Sequence, residues 1–298
     1  MPELPDIVVY IEALTRRIAG VPLQAVRLGS PFVLRSVDPP LAALHGHRVE
    51  RITRMGKRIV LHLESDDYLI VHLMIAGRLR WHPPGVPVPQ KRGLAAFDFP
   101  DGSVLMTEAS TRQRASIHAV HGADRLAALD PGGIEVLDTD LDGFVEALTR
   151  EHHTIKRSLT DPHIVSGIGN AFSDEILHAA RVSPLALTSK LDPDAFERLF
   201  RATRETLMTW TDKLRDAVGD GFPDKVTAFK DGMAVHGRYR RPCPVCGAPV
   251  QRIRYAANEV NYCAGCQTGG RVLADRAMSR LLKTDWPRSL DEWETRFG

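Results

Sequence analysis

The segments CPVC at residues 243–246 and CAGC at residues 263–266 contain all four cysteines of this 298-residue chain. Sixteen residues separate the two pairs, a spacing typical of a tetrahedral zinc site in which each pair forms a tight turn. Disulfide bonds are the competing interpretation, but the sequence has no evident secretory signal, and thiols inside cells stay reduced. Four thiolates fill the coordination sphere of zinc and leave no position for a catalytic water. We therefore predict one structural zinc ion held by Cys243, Cys246, Cys263 and Cys266, with any chemistry located elsewhere.

Basic residues are concentrated around this zinc ribbon, although the whole chain is nearly neutral. The chain has 39 Lys and Arg and 37 Asp and Glu, a formal net charge of +2. Residues 225–283, in contrast, contain eleven basic and three acidic residues. Between the cysteine pairs, residues 250–255 alternate in polarity, which predicts one strand of a hairpin. A basic ribbon is suited to phosphate contacts, while a ribbon that binds another protein stays open on composition alone.

The rest of the chain divides into a β-rich part and a helical part. Hydrophobic residues make up 43% and charged residues 26% of the sequence, which is the balance of a globular protein with its own cores. Short β-prone runs at residues 58–63, 68–74 and 96–106 follow a predicted helix over residues 6–18. From residue 140 the apolar residues recur at three- and four-residue spacing, as in helices. The longest apolar run is far too short for a membrane span, so we expect a soluble cytoplasmic protein with no membrane partner.

Several short motifs occur in a fixed order along the chain. They are Pro2-Glu3-Leu4-Pro5, Gly56-Lys57, His72-Leu73, Ser166-Gly167-Ile168-Gly169-Asn170, and the two cysteine pairs followed by Gln267. In this order the chain resembles the formamidopyrimidine-DNA glycosylase / endonuclease VIII family from Pro2 to Gln267. Each motif alone is weak evidence, and it is their common order that argues against coincidence.

The resemblance implies an α+β multidomain fold. We expect an N-terminal catalytic β-sandwich with flanking helices over residues 1–132, a helix-two-turn-helix domain over 133–222 and a zinc-ribbon finger over 223–268. A helical extension over residues 269–298 follows, in which apolar residues of 271–283 have the spacing of a packed amphipathic helix. The resemblance also implies a monomer that binds double-stranded damaged DNA in the nucleoid.

A bifunctional DNA glycosylase and abasic-site lyase is the activity that the resemblance implies, with Pro2, Glu3 and Lys57 as catalytic residues. Removal of Met1 would expose the secondary amine of Pro2, and an α-amino group has a pKa of roughly 8. A useful fraction of this amine is therefore neutral and can attack the sugar C1′. Glu3 is suited to proton transfer during ring opening and elimination. Lys57 would supply positive charge near the phosphate or base of the lesion.

The helical domain and the zinc hairpin carry four predicted DNA contacts. Asn170, at the end of a glycine turn and the start of a helix, can hold a phosphate together with backbone N–H groups, and Lys156 is a second contact in this domain. The family's finger arginine lies five residues before the third cysteine, where this chain has Asn258. Arg252 and Arg254 are expected to take over its phosphate contact.

The residues expected to fill the gap left by an extruded base differ from those of relatives. In residues 72–77, Ile75 stands where relatives of the formamidopyrimidine branch carry a methionine, and it can act as an apolar wedge. In residues 111–115 no phenylalanine follows the arginines. We expect Arg112 to keep a phosphate or orphan-base contact and Arg114 to fill space by stacking its guanidinium plane.

Leu4 favours the formamidopyrimidine branch over the endonuclease VIII branch, whose members tend to carry glycine there. This predicts excision of oxidised purines, such as 8-oxoguanine and formamidopyrimidines, through a Schiff base on Pro2 and β,δ-elimination in base excision repair. The differences from relatives at Ile75, at residues 111–115 and at Asn258 leave two alternative functions open. One is a relative that acts on oxidised pyrimidines or on abasic or single-stranded DNA, and the other is a non-catalytic protein that binds damaged DNA.

Overall fold

The computed structural model describes residues 1–255, 258–274, 280–282 and 286–297. It divides the chain into two compact units, one formed by residues 1–131 with 209–228 and the other by residues 132–208 with 229–298.

The first unit is built around two four-stranded antiparallel sheets. Its strands are β1 (Ala25–Leu28), β2 (Val49–Met55), β3 (Arg58–Leu63), β4 (Asp67–His72), β5 (Gly77–His82), β6 (Gly93–Phe99), β7 (Gly102–Glu108) and β8 (Ser116–His121). One sheet has the order β1-β6-β7-β5 and the other the order β2-β3-β4-β8. Apolar side chains of both sheets and of the first helix form one buried cluster. This confirms the predicted N-terminal β-sandwich. The run predicted at residues 96–106 is two strands, because Pro100 ends β6 at a turn.

Helix α1 (Leu4–Ile18) positions the amino terminus of the chain. Ile7, Leu14 and Ile18 lie on one face at helical spacing and are buried against the sandwich. A capping box starts the helix: the Glu3 side chain accepts the backbone N–H of the third helical residue, and Asp6 Oδ2 accepts the Glu3 N–H at 3.0 Å. The capping box therefore holds Glu3, the residue directly before α1, in place.

Residues 209–228 return to the first unit. Arg215 pairs with Glu12 of α1 at 2.7 Å, and Arg78 Nε donates to the carbonyl of Val226. Residues 209–222, expected in the helical domain, therefore lie with the sandwich in this division of the chain. The four-segment division stays a prediction.

The second unit contains helices and the cysteine hairpin. The short helix α2 (Ala123–Ala127) still belongs to the first unit. The α-helices of the second unit include α3 (Leu141–Thr149), α4 (Ile155–Thr160), α5 (Asn170–Ala179), α6 (Pro193–Val218) and α7 (Ala264–Thr268). The last residues of α6, from 209 on, belong to the first unit. Strands β9 (Val250–Tyr255) and β10 (Asn258–Cys263) form the predicted antiparallel hairpin. A further helix covers Leu290–Phe297.

The predicted helix over residues 271–283 does not begin at Arg271. Arg271 forms an antiparallel bridge with Ser289, so the extension starts in extended conformation. Residues 275–279 and 283 lie outside the described part of the chain. Within the described ranges, no helix is both long enough and apolar enough to cross a membrane.

Candidate active site and nucleic-acid interface

The three predicted catalytic residues lie around the start of α1. Pro2 and Glu3 are both buried, and Glu3 is only 2% exposed. Lys57 follows Gly56, whose φ of +61° forms the turn between β2 and β3. Burial lowers the pKa of Lys57, and the negative charge of Glu3 acts against this decrease. The structure therefore brings Lys57 within electrostatic range of Glu3, the residue that follows Pro2.

His72, at the end of β4, lies in a basic part of the same unit. Burial, together with the nearby positive charges of Arg58 and Lys57, lowers the pKa of His72 to about 4. Arg58 and His72 are directly opposite each other on β3 and β4. The imidazole is therefore neutral at physiological pH, and the cations around it form a patch that suits an anion.

Ile75 lies in the tight loop that joins β4 and β5. Ile75 is 57% exposed, which is unusual for isoleucine. Its role as a wedge stays a prediction. Met74 before it has φ +50°, in the left-handed region. Gly77 follows the loop as the first residue of β5. Only glycine fits there, because a Cβ would lie 2.2 Å from the Leu73 carbonyl oxygen. The loop therefore presents Ile75 to solvent on a constrained backbone.

Arg112 and Arg114 are exposed on the loop between β7 and β8. A buried carboxylate, Glu108, organises this loop by accepting the backbone N–H groups of Arg114 at 2.9 Å and Ala115 at 3.0 Å. Ser110 donates to the same carboxylate at 2.8 Å. Both guanidinium groups are thus on a loop whose backbone is held by hydrogen bonds to the buried Glu108 carboxylate.

Lys156 is buried beneath the start of α5. Its ammonium donates to Asp174 Oδ1 at 2.6 Å, to Ser173 Oγ at 2.8 Å and to the Asn170 carbonyl at 3.1 Å. An ammonium has three hydrogens, and all three are used here. These contacts give Lys156 a supporting role under Asn170, and a direct contact of Lys156 with DNA stays a prediction.

Asn170 and the hairpin arginines meet at Glu259. Asn170 Nδ2 donates to the Glu259 backbone carbonyl at 2.8 Å. The Glu259 carboxylate pairs with Arg252 at 3.2 Å, accepts from Asn261 Nδ2 at 2.8 Å and lies 3.7 Å from Arg254. The structure therefore brings Asn170, Arg252 and Arg254 together on one surface of the second unit.

We predict that Asp174→Asn lowers the free energy of unfolding by about 3–5 kcal/mol, because the variant leaves the buried Lys156 ammonium without its counter-ion. Asp174 is 1% exposed, and its second oxygen also accepts from His236 Nδ1 at 2.8 Å. Urea denaturation followed by circular dichroism measures the change. Asp216→Asn, an exposed carboxylate on α6, is the matched control and should stay within about 0.5 kcal/mol of the parent protein. Equal stability of both variants would contradict the prediction.

The four cysteine sulfurs come together, as the spacing predicts. Cys243 Sγ lies 3.9 Å from Cys266 Sγ, and Cys246 Sγ lies 3.3 Å from Cys263 Sγ. Zinc–sulfur bonds of about 2.3 Å in a regular tetrahedron place sulfurs about 3.8 Å apart, so the cluster fits a four-coordinate metal ion. The thiols are free rather than paired in disulfides, which sets aside the competing interpretation.

A histidine lies beside this cluster that the sequence did not indicate. His178 Nε2 is 3.3 Å from Cys243 Sγ, and both residues are buried. His178, Cys243, Cys263 and Cys266 place four potential ligand atoms within 4.8 Å of one another. Such a contact is typical of an outer partner that supports a metal-bound thiolate.

Family models match most of the chain. The formamidopyrimidine-DNA glycosylase N-terminal domain matches residues 1–115, and the H2TH domain of the same enzyme matches residues 132–213. The chain belongs to the formamidopyrimidine-DNA glycosylase family. Members of this family are DNA-repair glycosylases. The predicted membership and the α+β fold with its helix-two-turn-helix are confirmed.

Two relatives show the extent of the similarity in sequence. The formamidopyrimidine-DNA glycosylase of Heliobacterium modesticaldum is 31% identical over 283 residues, which cover 90% of this chain and 100% of the relative. An uncharacterized formamidopyrimidine-DNA glycosylase-like protein of Mycobacterium tuberculosis is 41% identical over 162 residues, 54% of this chain and 99% of the relative.

Solved structures of formamidopyrimidine-DNA glycosylases have the same fold. The Lactococcus lactis enzyme in complex with DNA containing an abasic site has a TM-score of 0.78 at 25% identity, and the match covers 89% of this chain and 99% of that one. MutM in complex with DNA containing carbocyclic 8-oxo-G has a TM-score of 0.77 at 25% identity, and the match covers 90% of this chain and 100% of that one. About a tenth of the present chain therefore has no counterpart in these matches.

Proposed function

We propose that this formamidopyrimidine-DNA glycosylase relative is a bifunctional glycosylase and abasic-site lyase that excises oxidised bases from double-stranded DNA. The observation that carries the proposal is the placement of buried Glu3 within electrostatic range of Lys57 at the start of α1, directly after Pro2. Oxidised purines such as 8-oxoguanine and formamidopyrimidines are the proposed substrates. The similarity to MutM bound to 8-oxo-G DNA supports this class.

The proposed reaction begins once Met1 has been removed. The neutral Pro2 amine attacks C1′, the glycosidic bond breaks, and the base leaves with a proton. The C1′–O4′ bond then opens, which gives an iminium between Pro2 and C1′. Loss of the C2′ proton expels the 3′ phosphate, a second elimination expels the 5′ phosphate, and water releases the sugar from Pro2. Glu3 carries the protons of ring opening and elimination.

Lys57 supports this chemistry through its charge. Its ammonium lies in a buried setting where an added anion is strongly attracted, because the local dielectric is low. A phosphate of the damaged strand is the anion that we assign to it. The neutral His72 and the charged Arg58 continue the same patch on β3 and β4, so the strand near the lesion has more than one cation to contact.

DNA binding is proposed for both units separately. In the first unit, exposed Ile75 enters the stack at the lesion, and Arg112 and Arg114 occupy the opposite strand or its phosphates. In the second unit, Asn170 with Arg252 and Arg254 contacts phosphate oxygens. This assignment is supported by the exposure of Ile75 and by the shared surface around Glu259.

One zinc ion is proposed for the cysteine cluster. Cys243, Cys246, Cys263 and Cys266 would hold it, and bound zinc supplies folding free energy to the hairpin rather than catalysis. The fit of the sulfur spacings to a tetrahedral site supports this assignment.

Trapping with borohydride tests the proposed activity. The protein is incubated with duplexes that contain 8-oxoguanine, a formamidopyrimidine, an oxidised pyrimidine or an abasic site, together with borohydride. We expect a covalent complex with the oxidised purines and with the abasic site. Trapping on oxidised pyrimidine alone would show that the substrates are oxidised pyrimidines and not oxidised purines. Binding to damaged DNA with no trapping on any duplex would make the protein a non-catalytic relative.

A further inference from the structure

The C-terminal extension packs against the cysteine hairpin. Tyr262 Oη on β10 accepts the Leu273 N–H at 2.7 Å, and the Leu290 N–H donates to the Gly270 carbonyl at 3.1 Å. Leu273 and Leu290 join the hydrophobic cluster of Ile253 and Val260 on the two hairpin strands. The extension is therefore part of the packing of the second unit.

The extension also places an aromatic ring behind a hairpin arginine. Trp293 is 7% exposed and contacts Tyr239 edge to face, with ring centroids 6.4 Å apart at 76°. The guanidinium carbon of Arg252 lies 3.9 Å from the centroid of the Tyr239 ring, and that of Arg240 lies 5.7 Å from both rings. Trp293 thus fixes the ring on which the Arg252 guanidinium is stacked.

Arg252 lies on the hairpin next to a residue that Asn170 contacts. It pairs with Glu259, whose backbone carbonyl accepts from Asn170. Its side chain remains 27% exposed, so Arg252 is accessible from solvent. Position 258, five residues before the third cysteine, holds asparagine, whose neutral amide cannot replace the charge of arginine.

We propose that the C-terminal extension orients a phosphate-binding arginine. Trp293 holds Tyr239, Tyr239 holds the guanidinium of Arg252, and Arg252 makes the phosphate contact that the finger arginine makes in relatives. Trp293 and Tyr239 are positioning residues and do not contact DNA themselves. Pre-ordering the long arginine side chain lowers the entropy lost when phosphate binds. This inference rests on the proposed DNA binding of the second unit.

Binding of a duplex with a tetrahydrofuran abasic analogue, measured by fluorescence anisotropy over a range of salt concentrations, tests the inference. We expect Arg252→Ala to weaken binding roughly tenfold and to reduce the salt slope by about one. Tyr239→Leu should weaken binding by a similar factor, whereas Tyr239→Phe keeps the ring and should bind like the parent protein. Trp293→Ala should follow Tyr239→Leu, and Trp293→Phe should recover part of the loss.

A double-mutant cycle separates positioning from general stability. In the Arg252→Ala background, Tyr239→Leu and Trp293→Ala should have no further effect on binding, because all three changes remove the same contact. Additive losses would overturn the inference, and so would parental affinity of Arg252→Ala. Zinc content and thermal midpoint are measured for every variant. If Trp293→Ala loses zinc, the cycle of Tyr239→Leu with Arg252→Ala decides the outcome. Tyr239 is partly exposed, so its replacement disturbs the packing less. Failure of the parent protein to bind the duplex would instead reject the proposed function.

Discussion

Glu3→Gln is expected to reduce base excision and strand cleavage by a factor of roughly 10² to 10⁴ while binding of lesion DNA is kept. The amide cannot shuttle the protons of ring opening and elimination. It can still accept the backbone N–H that Glu3 accepts in the capping box of α1, so the helix start is retained. Loss of the Glu3 charge also lowers the pKa of Lys57 further, because that charge now opposes the effect of burial. Single-turnover cleavage of an 8-oxoguanine duplex measures the rate.

Glu50→Gln provides the matched control for this variant. Glu50 lies on β2 of the same unit and is exposed, so its neutralisation should leave the rate unchanged. Thermal denaturation of both variants checks that each is folded at the assay temperature. Cleavage by Glu3→Gln at the parental rate would remove Glu3 from the mechanism.

Cys263→Ser is expected to remove the metal and with it DNA binding by the second unit. Cys263 is fully buried, and apparent binding free energies of structural zinc are about 10–16 kcal/mol, which rivals the stability of a whole domain. We expect the zinc content to fall from one ion per chain to nearly none, and the affinity for lesion duplex to fall by two orders of magnitude or more, roughly the loss of several phosphate contacts.

The control for the zinc prediction is Val245→Ser, which lies between two of the ligands. Val245 is 61% exposed, so this change should leave both zinc content and affinity at the parental level. Metal analysis of the purified proteins and anisotropy titrations give the two readouts. A Cys263→Ser protein with full zinc content would show that the cluster is not the metal site.

The parts of the fold and site that the sequence predicts are those determined by local pattern. Two cysteine pairs define a metal cluster by their spacing alone, and the alternation at residues 250–255 defines the hairpin that carries them. The sandwich and the helices follow from the apolar period.

The acids that organise the basic residues could not be predicted in this way. Asp174 is one of several polar residues of α5, and only the fold shows that its carboxylate is the one that holds Lys156. Glu108 likewise accepts backbone N–H groups from the following loop, and Glu259 pairs with Arg252 across the hairpin. A carboxylate that positions cations has no sequence period, because its partners are selected by tertiary packing. One available signal is that Glu259 is the only acid between the cysteine pairs.

The tertiary contacts of the C-terminal extension could not be predicted from the sequence either. Its apolar spacing predicts packing, but neither the bridge of Arg271 with Ser289 nor the contact of Trp293 with Tyr239 follows from spacing. These contacts join residues more than fifteen positions apart, so they depend on the fold of the hairpin.

Mass spectrometry of the trapped complex tests the proposed mechanism most directly. The protein is reduced with borohydride on an abasic duplex, digested with trypsin and analysed for the peptide that carries the sugar fragment. The mechanism predicts the adduct on a peptide that begins at Pro2 and ends at Arg16, with Met1 absent. An adduct on the Lys57 peptide, or an active protein that retains Met1, would contradict the assignment of the Pro2 amine as the nucleophile.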